Sequence, residues 1–505
     1  MNHKPFIRSF LLSLGVSACI VANSLAADET VSGSRPNIIL IMGDDHGWEE
    51  TGYNGHPHVK TPVLDEMAAL GLQLDRFYAA HPSCSPTRGS VLTGRHPNRY
   101  GTFTPGCSIR PKEITVAHLL QKAGYTTGHF GKWHLGPVKA GSPTNPGAMG
   151  FDEWFSHDNF FELNPTMSRN GGPPKRYEGE GSQIVIDETK HFIARASEKE
   201  KPFFTVVWFG SPHEPYSALP KDLAFYDNLP QKYAEKTVSL TSNETGRRIK
   251  RPLRDVLRER YAEITAMDRA IGDLRTYLTT KDLKKNTFIC YCGDNGTPPS
   301  GVAESPLRGL KGQMFEGGIR VPGIIEWPAG IPKPRRTSVN AVTSDFLPTL
   351  CDLAGQLVPN RPLDGISLAT LLDGTMNERS KPISFWSFST MNRGKKPYLD
   401  PEFQKGTTPL IKLMGDIATR NFRNVQHPSI IEKDYNGSRT IIGNRYKLHI
   451  TKKGDQHLFD LLEDSAETTD LSESNPKIVK DLGKQLRDWQ SSVLNSLMEA
   501  DYPSK

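Results

Sequence analysis

The chain has no internal repeat and no low-complexity tract, which excludes solenoid and collagen-like architectures. No later apolar stretch approaches the length of a bilayer-spanning helix. Lysine and arginine number 62 against 56 acidic residues, but they never gather into a basic run or a basic-aromatic patch, so the net charge of +6 does not argue for a nucleic-acid partner. Cysteine is scarce, six in all, which excludes a disulfide-dense scaffold. What is plentiful is glycine (44) and proline (38), together above the roughly 12% of average chains, and this predicts long ordered loops. At 505 residues the chain exceeds the roughly 250 to 300 at which one core stops growing, so a large domain with a smaller one is expected.

Residues 1–26 read as a secretory leader: Lys4 and Arg8, an apolar run from Phe10 to Ala22, then Ser24-Leu25-Ala26 as a small-x-small cleavage site. The mature protein then begins near Ala27 and is exported, periplasmic or secreted; losing Lys4 and Arg8 and no acid lowers the charge from +6 to +4. An alternative is a lipobox, Val16-Ser17-Ala18-Cys19, with a lipid anchor on Cys19, although Ile20-Val21-Ala22 is unlike the polar linker that usually follows one. Cleavage leaves Cys84, Cys107, Cys290, Cys292 and Cys351, an odd number for an exported protein. Cys290 and Cys292, two apart in an apolar run, share a strand face and read as buried core thiols. Cys84 alone has a chemical setting, inside "HPSCSPTRGSVLTGR" (81–95).

Several apolar strands run directly into polar loops, the arrangement by which α/β folds present chemistry at the carboxyl ends of strands. They are "NIILIM" before "GDDHG", "TTGHFGKWHLG" (126–136), "FFTVVWFGSPHEPY" (203–216) and "TFICYCGDNGT" (287–297). Leu257, Tyr261, Ile264, Met267, Ile271, Leu274 and Leu278 recur at spacings of three and four, predicting a long helix with one apolar stripe. Residues 214–252 read as a long surface loop bordering a cleft. From about residue 376 shorter alternating strands and a terminal helix, Ile478 to Leu497, indicate a smaller α+β domain with little recognisable chemistry.

Asp44 and Asp45 lie between Gly43 and Gly47, and Asp294 and Asn295 between Gly293 and Gly296. Each pair taken singly is more often a turn or a cap. Together they make a hard-oxygen set suited to Ca²⁺ or Mg²⁺ rather than zinc. Lys132 and His134 are two apart, so an extended segment would place them on one side; His213 and Lys311 occupy further polar loops. Two histidines and two lysines at strand ends would form a positive pocket for a tetrahedral anion.

Cys84-Ser85-Pro86-Thr87-Arg88 with Thr93-Gly94-Arg95 resembles the C-x-P-S/T-R…T-G-R signature of the sulfatases, in the alkaline phosphatase-like superfamily. "NIILIMGDDHG", "GHFGKWHLG", "GSPHEP", "CGDNG", "EGGIRVP" and "LFDLLEDSAETTDL" resemble that family's other landmarks in order, so the likeness covers essentially the whole mature chain. It implies an α/β fold, a large mixed and mostly parallel sheet sandwiched by helices over residues 35–375, plus a smaller C-terminal α+β domain over 376–505. It also implies that a formylglycine-generating enzyme oxidises Cys84 to Cα-formylglycine, whose hydrate attacks sulfur with one hydroxyl and uses the other to expel sulfate. By the same matching Asp44, Asp45, Asp294, Asn295 and the residue at 84 are the ligands of Ca²⁺, with Mg²⁺ the alternative. Arg88 would hold the hydrate, Lys132 the sulfate, and His134 would be the base, while His213 and Lys311 would serve the leaving oxygen. A helix beginning at Gly89–Leu92 would add its N-terminus to the anion site.

The resemblance implies sulfate-ester hydrolysis; phosphate or phosphonate ester hydrolysis on the same fold is the alternative, and a sulfoglycan-binding pseudoenzyme a third reading. Fold alone does not separate these. The pattern resembles arylsulfatase and galactosamine-6-sulfatase relatives. Export, the 214–252 segment and Asn98 with Arg99 suit a sulfated saccharide, and His56, His58, His81 and His96 are further candidates to line its pocket.

Overall fold

The computed structural model describes residue 1 and residues 35–242, 244–409 and 419–502. The leader, its cleavage site and the Cys19 lipobox lie outside the described residues. Everything that follows concerns one compact unit that begins at Arg35.

The strand Asn37–Gly43 is the axis of a ten-stranded sheet. It pairs in parallel with Thr287–Gly293 on one side and Phe203–Trp208 on the other, and Thr126–Lys132 and Glu153–His157 extend the parallel run. Antiparallel and short strands close the edges: Gly323–Glu326, Leu72–Leu74 and Arg335–Thr337 beyond Thr287–Gly293, and Thr166–Arg169 with Lys175–Arg176 at the other end. The sheet is mixed but parallel at its centre, as the sequence implies.

Strand alternation explains why the central segments are apolar without interruption. Ile38, Leu40 and Met42 point into one core with Phe204, Val206, Trp208, Cys290 and Cys292. Ile39 and Ile41 point into the other, where the helix Leu253–Thr280 brings Met267, Ile271 and Leu274. Each such side chain is worth about 1.5–3 kcal/mol when fully buried. The expected apolar stripe of this helix is buried throughout. All five cysteines from Cys84 onward are buried and free.

Residues 214–252 are more structured than their composition indicates. A short helix Pro220–Leu223 and two 3₁₀ turns precede an antiparallel hairpin, Thr237–Thr241 with Arg248–Pro252. Thr237 to Thr241 alternate weakly, and the mostly polar Arg248–Pro252 gives no apolar period to read.

A separate four-stranded antiparallel sheet carries the C-terminal part: Ile383–Trp386, Arg439–Ile442, Tyr446–Ile450 and Gln456–Asp460. The helix Pro476–Leu497 covers one face through Leu486 against Ile441, Leu448 and Leu458. On the opposite face Phe385, Ile442 and Phe459 meet Tyr78, Ile319 and Val342 of the larger part. At that junction Lys447 is fully buried and ion-paired to Glu316 at 3.0 Å and Glu467 at 2.8 Å. Glu467 also accepts the Glu316 N–H at 2.7 Å, and Tyr78 donates to Glu316 at 3.1 Å. The small sheet therefore fastens the segment that carries Lys311. Lys447→Met would leave buried Glu467 without its cation and Glu316 with only Arg320 at 3.9 Å; a loss of about 3–5 kcal/mol is expected in urea unfolding, largely recovered when Glu316→Gln and Glu467→Gln are added.

Candidate active site

Four strand-end loops converge at the carboxyl edge of the parallel strands. Asp44 and Asp45 follow directly on Gly43, and Asp45 turns the chain with a left-handed backbone, φ 63°. Its N–H donates to Asp294 Oδ1 at 2.9 Å, which ties the first loop to the loop after Thr287–Gly293. That approach requires Gly293, because a Cβ there would lie 2.1 Å from the His46 carbonyl oxygen.

Cys84 is the first residue of the helix Cys84–Thr93, not a residue ahead of a helix beginning near Gly89. Its Sγ lies 3.8 Å from Asp45 Oδ1, and burial pushes its thiol pKa well up. Arg88, one turn on, lies on the same helix face. Its Nη2 bonds Asp294 Oδ2 at 2.7 Å and approaches Asp44 Oδ1 at 3.5 Å, and the guanidinium rests over Trp208, leaving Nε without a hydrogen-bond partner.

Lys132 ends its strand with Nζ 2.5 Å from Asp44 Oδ2. The backbone does not stay extended through His134, which takes φ 56°, so simple alternation does not relate the two side chains. Instead His134 is fixed by its N–H donating to the Asp158 carbonyl at 3.1 Å. Both its ring nitrogens are buried without partners, and burial, reinforced by the Lys132 charge, holds its pKa well below the ordinary value.

His213 stacks on Phe160 at 4.4 Å and directs Nε2 to within 3.6 Å of Asp45 Oδ2 and 3.4 Å of Lys311 Nζ. Burial lowers its pKa to about 4. Lys311 sits 2.6 Å from Asp45 Oδ1 and 2.7 Å from Oδ2; burial alone would lower its pKa, but the Asp45 charge lifts it well above the usual value. At neutral pH the lysine is charged and the imidazole neutral.

Against the burial that would raise their pKa values, Lys132 holds Asp44 and Lys311 holds Asp45 below the usual range. Asp294 goes the other way: burial and the Asp44 charge push it up to about 7. Asp44, Asp45, Cys84 and His213 offer donor atoms all within 4.8 Å of one another. Asp294 and Asn295 reach this group through Asp45, to which Asn295 Nδ2 donates at 2.9 Å. Asp44 Oδ1 and Asn295 Oδ1 are buried and accept no hydrogen bond. Acceptor oxygens left unsatisfied among carboxylates fit a hard cation such as Ca²⁺.

Other candidates belong to the packing. His81 bonds Ser83 at 2.8 Å, His96 caps the turn after it and meets Trp489 edge-on, and His56 accepts the His58 and Val59 N–H groups. His58 bonds Tyr233 at 3.3 Å. Asn98 donates to the Trp386 carbonyl, and Arg99 grips Asp364 and reaches Ser492 and Ser496 of the terminal helix, so these two serve the junction with the C-terminal part rather than a sugar.

Arg260 is the residue that the motif reading misses. Fully buried in the long helix, it donates to the Asp45 carbonyl at 2.5 Å, the Pro212 carbonyl at 2.6 Å and both Glu50 oxygens at 2.6 Å. It therefore ties the Asp45 turn to the loop that bears His213. The signal was present, since position 260 falls three after Leu257 and four before Ile264, inside the apolar stripe.

A mixed sheet, parallel at its centre, with buried carboxylates, lysines and an arginine gathered at its carboxyl edge is the alkaline phosphatase-like fold. The sulfatase family model matches residues 36–356, and the chain belongs to that family. It is 32% identical over 396 residues to mouse N-acetylgalactosamine-6-sulfatase (70% of this chain, 69% of the relative) and 33% identical over 381 to bovine arylsulfatase A (70% and 71%). It is 30% identical to the ulvan-active sulfatase of Formosa agariphila (67% and 65%). Among solved structures, Ps i-CgsB in complex with k-i-k-neocarrahexaose superposes with a TM-score of 0.72 at 24% identity, covering 91% of this chain and 93% of that one. The chain is thus a sulfuric ester hydrolase.

Arg260→Met should strand the buried Glu50 and release the Asp45 turn, costing about 3–5 kcal/mol of stability. Thermal unfolding and a sulfate-ester assay check this, with Arg260→Met/Glu50→Gln expected to regain stability but not activity.

Proposed function

We propose that the protein removes sulfate from a glycan, with Cys84 the precursor of a Cα-formylglycine nucleophile. The observation that carries this reading is the position of Cys84: a buried thiol at the head of a helix, against Asp45, with Lys311 and Lys132 on the neighbouring carboxylates. A thiol whose pKa is driven up by burial is a poor nucleophile as it stands. Oxidation to an aldehyde resolves that, and it calls for a formylglycine-generating enzyme as a maturation partner.

Asp44, Asp45, Asp294, Asn295 and the side chain at 84 are the proposed holders of a divalent cation, Ca²⁺ with Mg²⁺ as the alternative. When bound, the cation supplies positive charge against the sulfate oxygens and favours ionisation of the nucleophile. Arg88, fixed by Asp294, keeps Nε for the oxygens at position 84. Lys132 holds a sulfate oxygen. His134, neutral and with both ring nitrogens unpartnered, is suited to accept the proton that must leave before sulfate is expelled. Lys311 and His213 face the departing alcohol as the pair that neutralises or protonates its oxygen, the proton coming from the Lys311 ammonium beside the neutral imidazole.

A sulfated saccharide is the substrate class that the relatives' names favour: N-acetylgalactosamine-6-sulfate in the mouse enzyme and ulvan in that of Formosa agariphila. The reading includes export to the periplasm or beyond, in keeping with the leader pattern. Residues 35–375 form the catalytic part and 376–505 the C-terminal part. Among the described residues no helix is long and apolar enough to cross a membrane.

Mass spectrometry of the peptide spanning Ser83–Arg88 from the natural host should find aldehyde or its hydrate in place of the thiol; an active preparation with thiol alone overturns the scheme. Cys84→Ser is expected to stall with sulfate retained on the protein. Lys132→Ala and Lys311→Ala should each lower turnover by roughly a hundredfold or more, measured on sulfate esters beside matched phosphate esters.

A further inference from the structure

Within the site the charges balance: Asp44, Asp45 and Asp294 face Arg88, Lys132 and Lys311. One further cation stands beside this set with no counter-ion among the described residues. Arg420 is part-buried, forms no ion pair among the described residues, and lies close enough to Cys84 for the two to interact electrostatically. It also adds to the positive field on His134.

Its position is built by the backbone around it. Phe422 N–H donates to the Gln404 carbonyl at 2.8 Å and Arg423 N–H to the Gly106 carbonyl at 3.0 Å, while Ser108 N–H donates to Arg423 at 2.9 Å. Asn424 Nδ2 bonds the Ser108 carbonyl at 2.7 Å. The Phe422 ring meets His134 edge-on at 6.3 Å. The guanidinium lies over Gly106, where a Cβ would come within 3.7 Å of Nη1.

A second group on this rim is equally without a partner. Asn159 is 2% exposed, and both its amide nitrogen and its amide oxygen lack hydrogen-bond partners. It follows His157, the register partner of Lys132, and precedes Phe160, which stacks on His213, so its chain neighbours on both sides touch proposed site residues. Its neighbour Asp158 accepts the Thr407 and Thr408 N–H groups, and Gly406 just before them packs against the Arg420 carbonyl, which joins the chain segments that carry the two residues.

A buried amide with neither donor nor acceptor satisfied is unfavourable, and so is a partly desolvated guanidinium that meets no anion among the described residues. One ligand that presents a hydroxyl and a negative charge would offset both. We propose that Asn159 and Arg420 form the leaving-group subsite, Asn159 hydrogen-bonding a hydroxyl of the sulfated sugar and Arg420 pairing with a second anionic group on the glycan, a uronate carboxylate or another sulfate. This rests on the reading of the Cys84 centre as the sulfate-cleaving site.

The test compares p-nitrophenyl sulfate with three sulfated disaccharides whose second sugar is neutral, carries a carboxylate, or carries a further sulfate. For the wild type, kcat/KM on at least one acid-bearing disaccharide should exceed that on the neutral one by about tenfold or more, as befits a charge-assisted pair; the stronger of the two identifies the anion. In Arg420→Met that advantage should disappear, mainly through KM, and Arg420→Lys should restore part of it. Arg420→Gln gives the same comparison should the Met variant not fold. Asn159→Ala should lower the ratio of disaccharide to p-nitrophenyl sulfate for all three disaccharides. A wild type indifferent to the second anion, or an Arg420→Met ratio equal to that of the wild type, overturns the proposal. A wild type inactive on every one of the four esters would instead overturn the sulfatase reading of the centre.

Discussion

The Asp45 carboxylate is the contact on which the site depends. Its two oxygens receive Lys311, its Oδ1 takes the Asn295 amide and faces Cys84, and its backbone N–H and carbonyl are fixed by Asp294 and Arg260. Four segments far apart in sequence, those bearing Cys84, Arg260, Asp294 with Asn295, and Lys311, are thereby brought to one residue. Because that residue is buried, each of these interactions is stronger than it would be in water and each missing partner is correspondingly costly. The sheet sets the distances: parallel strands in register deliver Asp44, Lys132 and Asp294 at one edge, and the loops have only short spans to cross.

Electrostatics divides the labour among groups that composition cannot distinguish. His134 and His213 are both pushed to the neutral side by burial, yet one has unpartnered nitrogens and the other sits against a lysine. Asp294 is pushed up where Asp44 and Asp45 are pulled down, although all three are fully buried aspartates. The difference lies in which cation stands nearest and which carboxylate is already charged beside it.

Much of this was legible in the residues. The continuous apolar runs before Gly-Asp loops fixed the parallel centre, since only a doubly covered strand has no polar face, and the stripe from Leu257 to Leu278 gave the helix that covers one side. The candidate residues were readable because their motifs stand at strand ends. Three features were not. The left-handed turn at His134 is invisible to a spacing argument, which assumes an extended chain. The hairpin within 214–252 has a mostly polar second strand, so its pairing is set by backbone hydrogen bonds rather than by periodicity. Arg420 and Asn159 carry no motif and matter only through what the fold leaves unpaired around them.

The buried Lys447 reaches back across the molecule to Glu316, five residues beyond Lys311, with Glu467 as its other partner. Every residue assigned to the chemistry of the centre precedes position 312, yet the seat of its last lysine is completed by side chains at positions 447 and 467. That brace can therefore close only after synthesis has passed Glu467. A chain cut short after the first three hundred and fifty residues would hold all the reactive groups and remain without the brace that positions them.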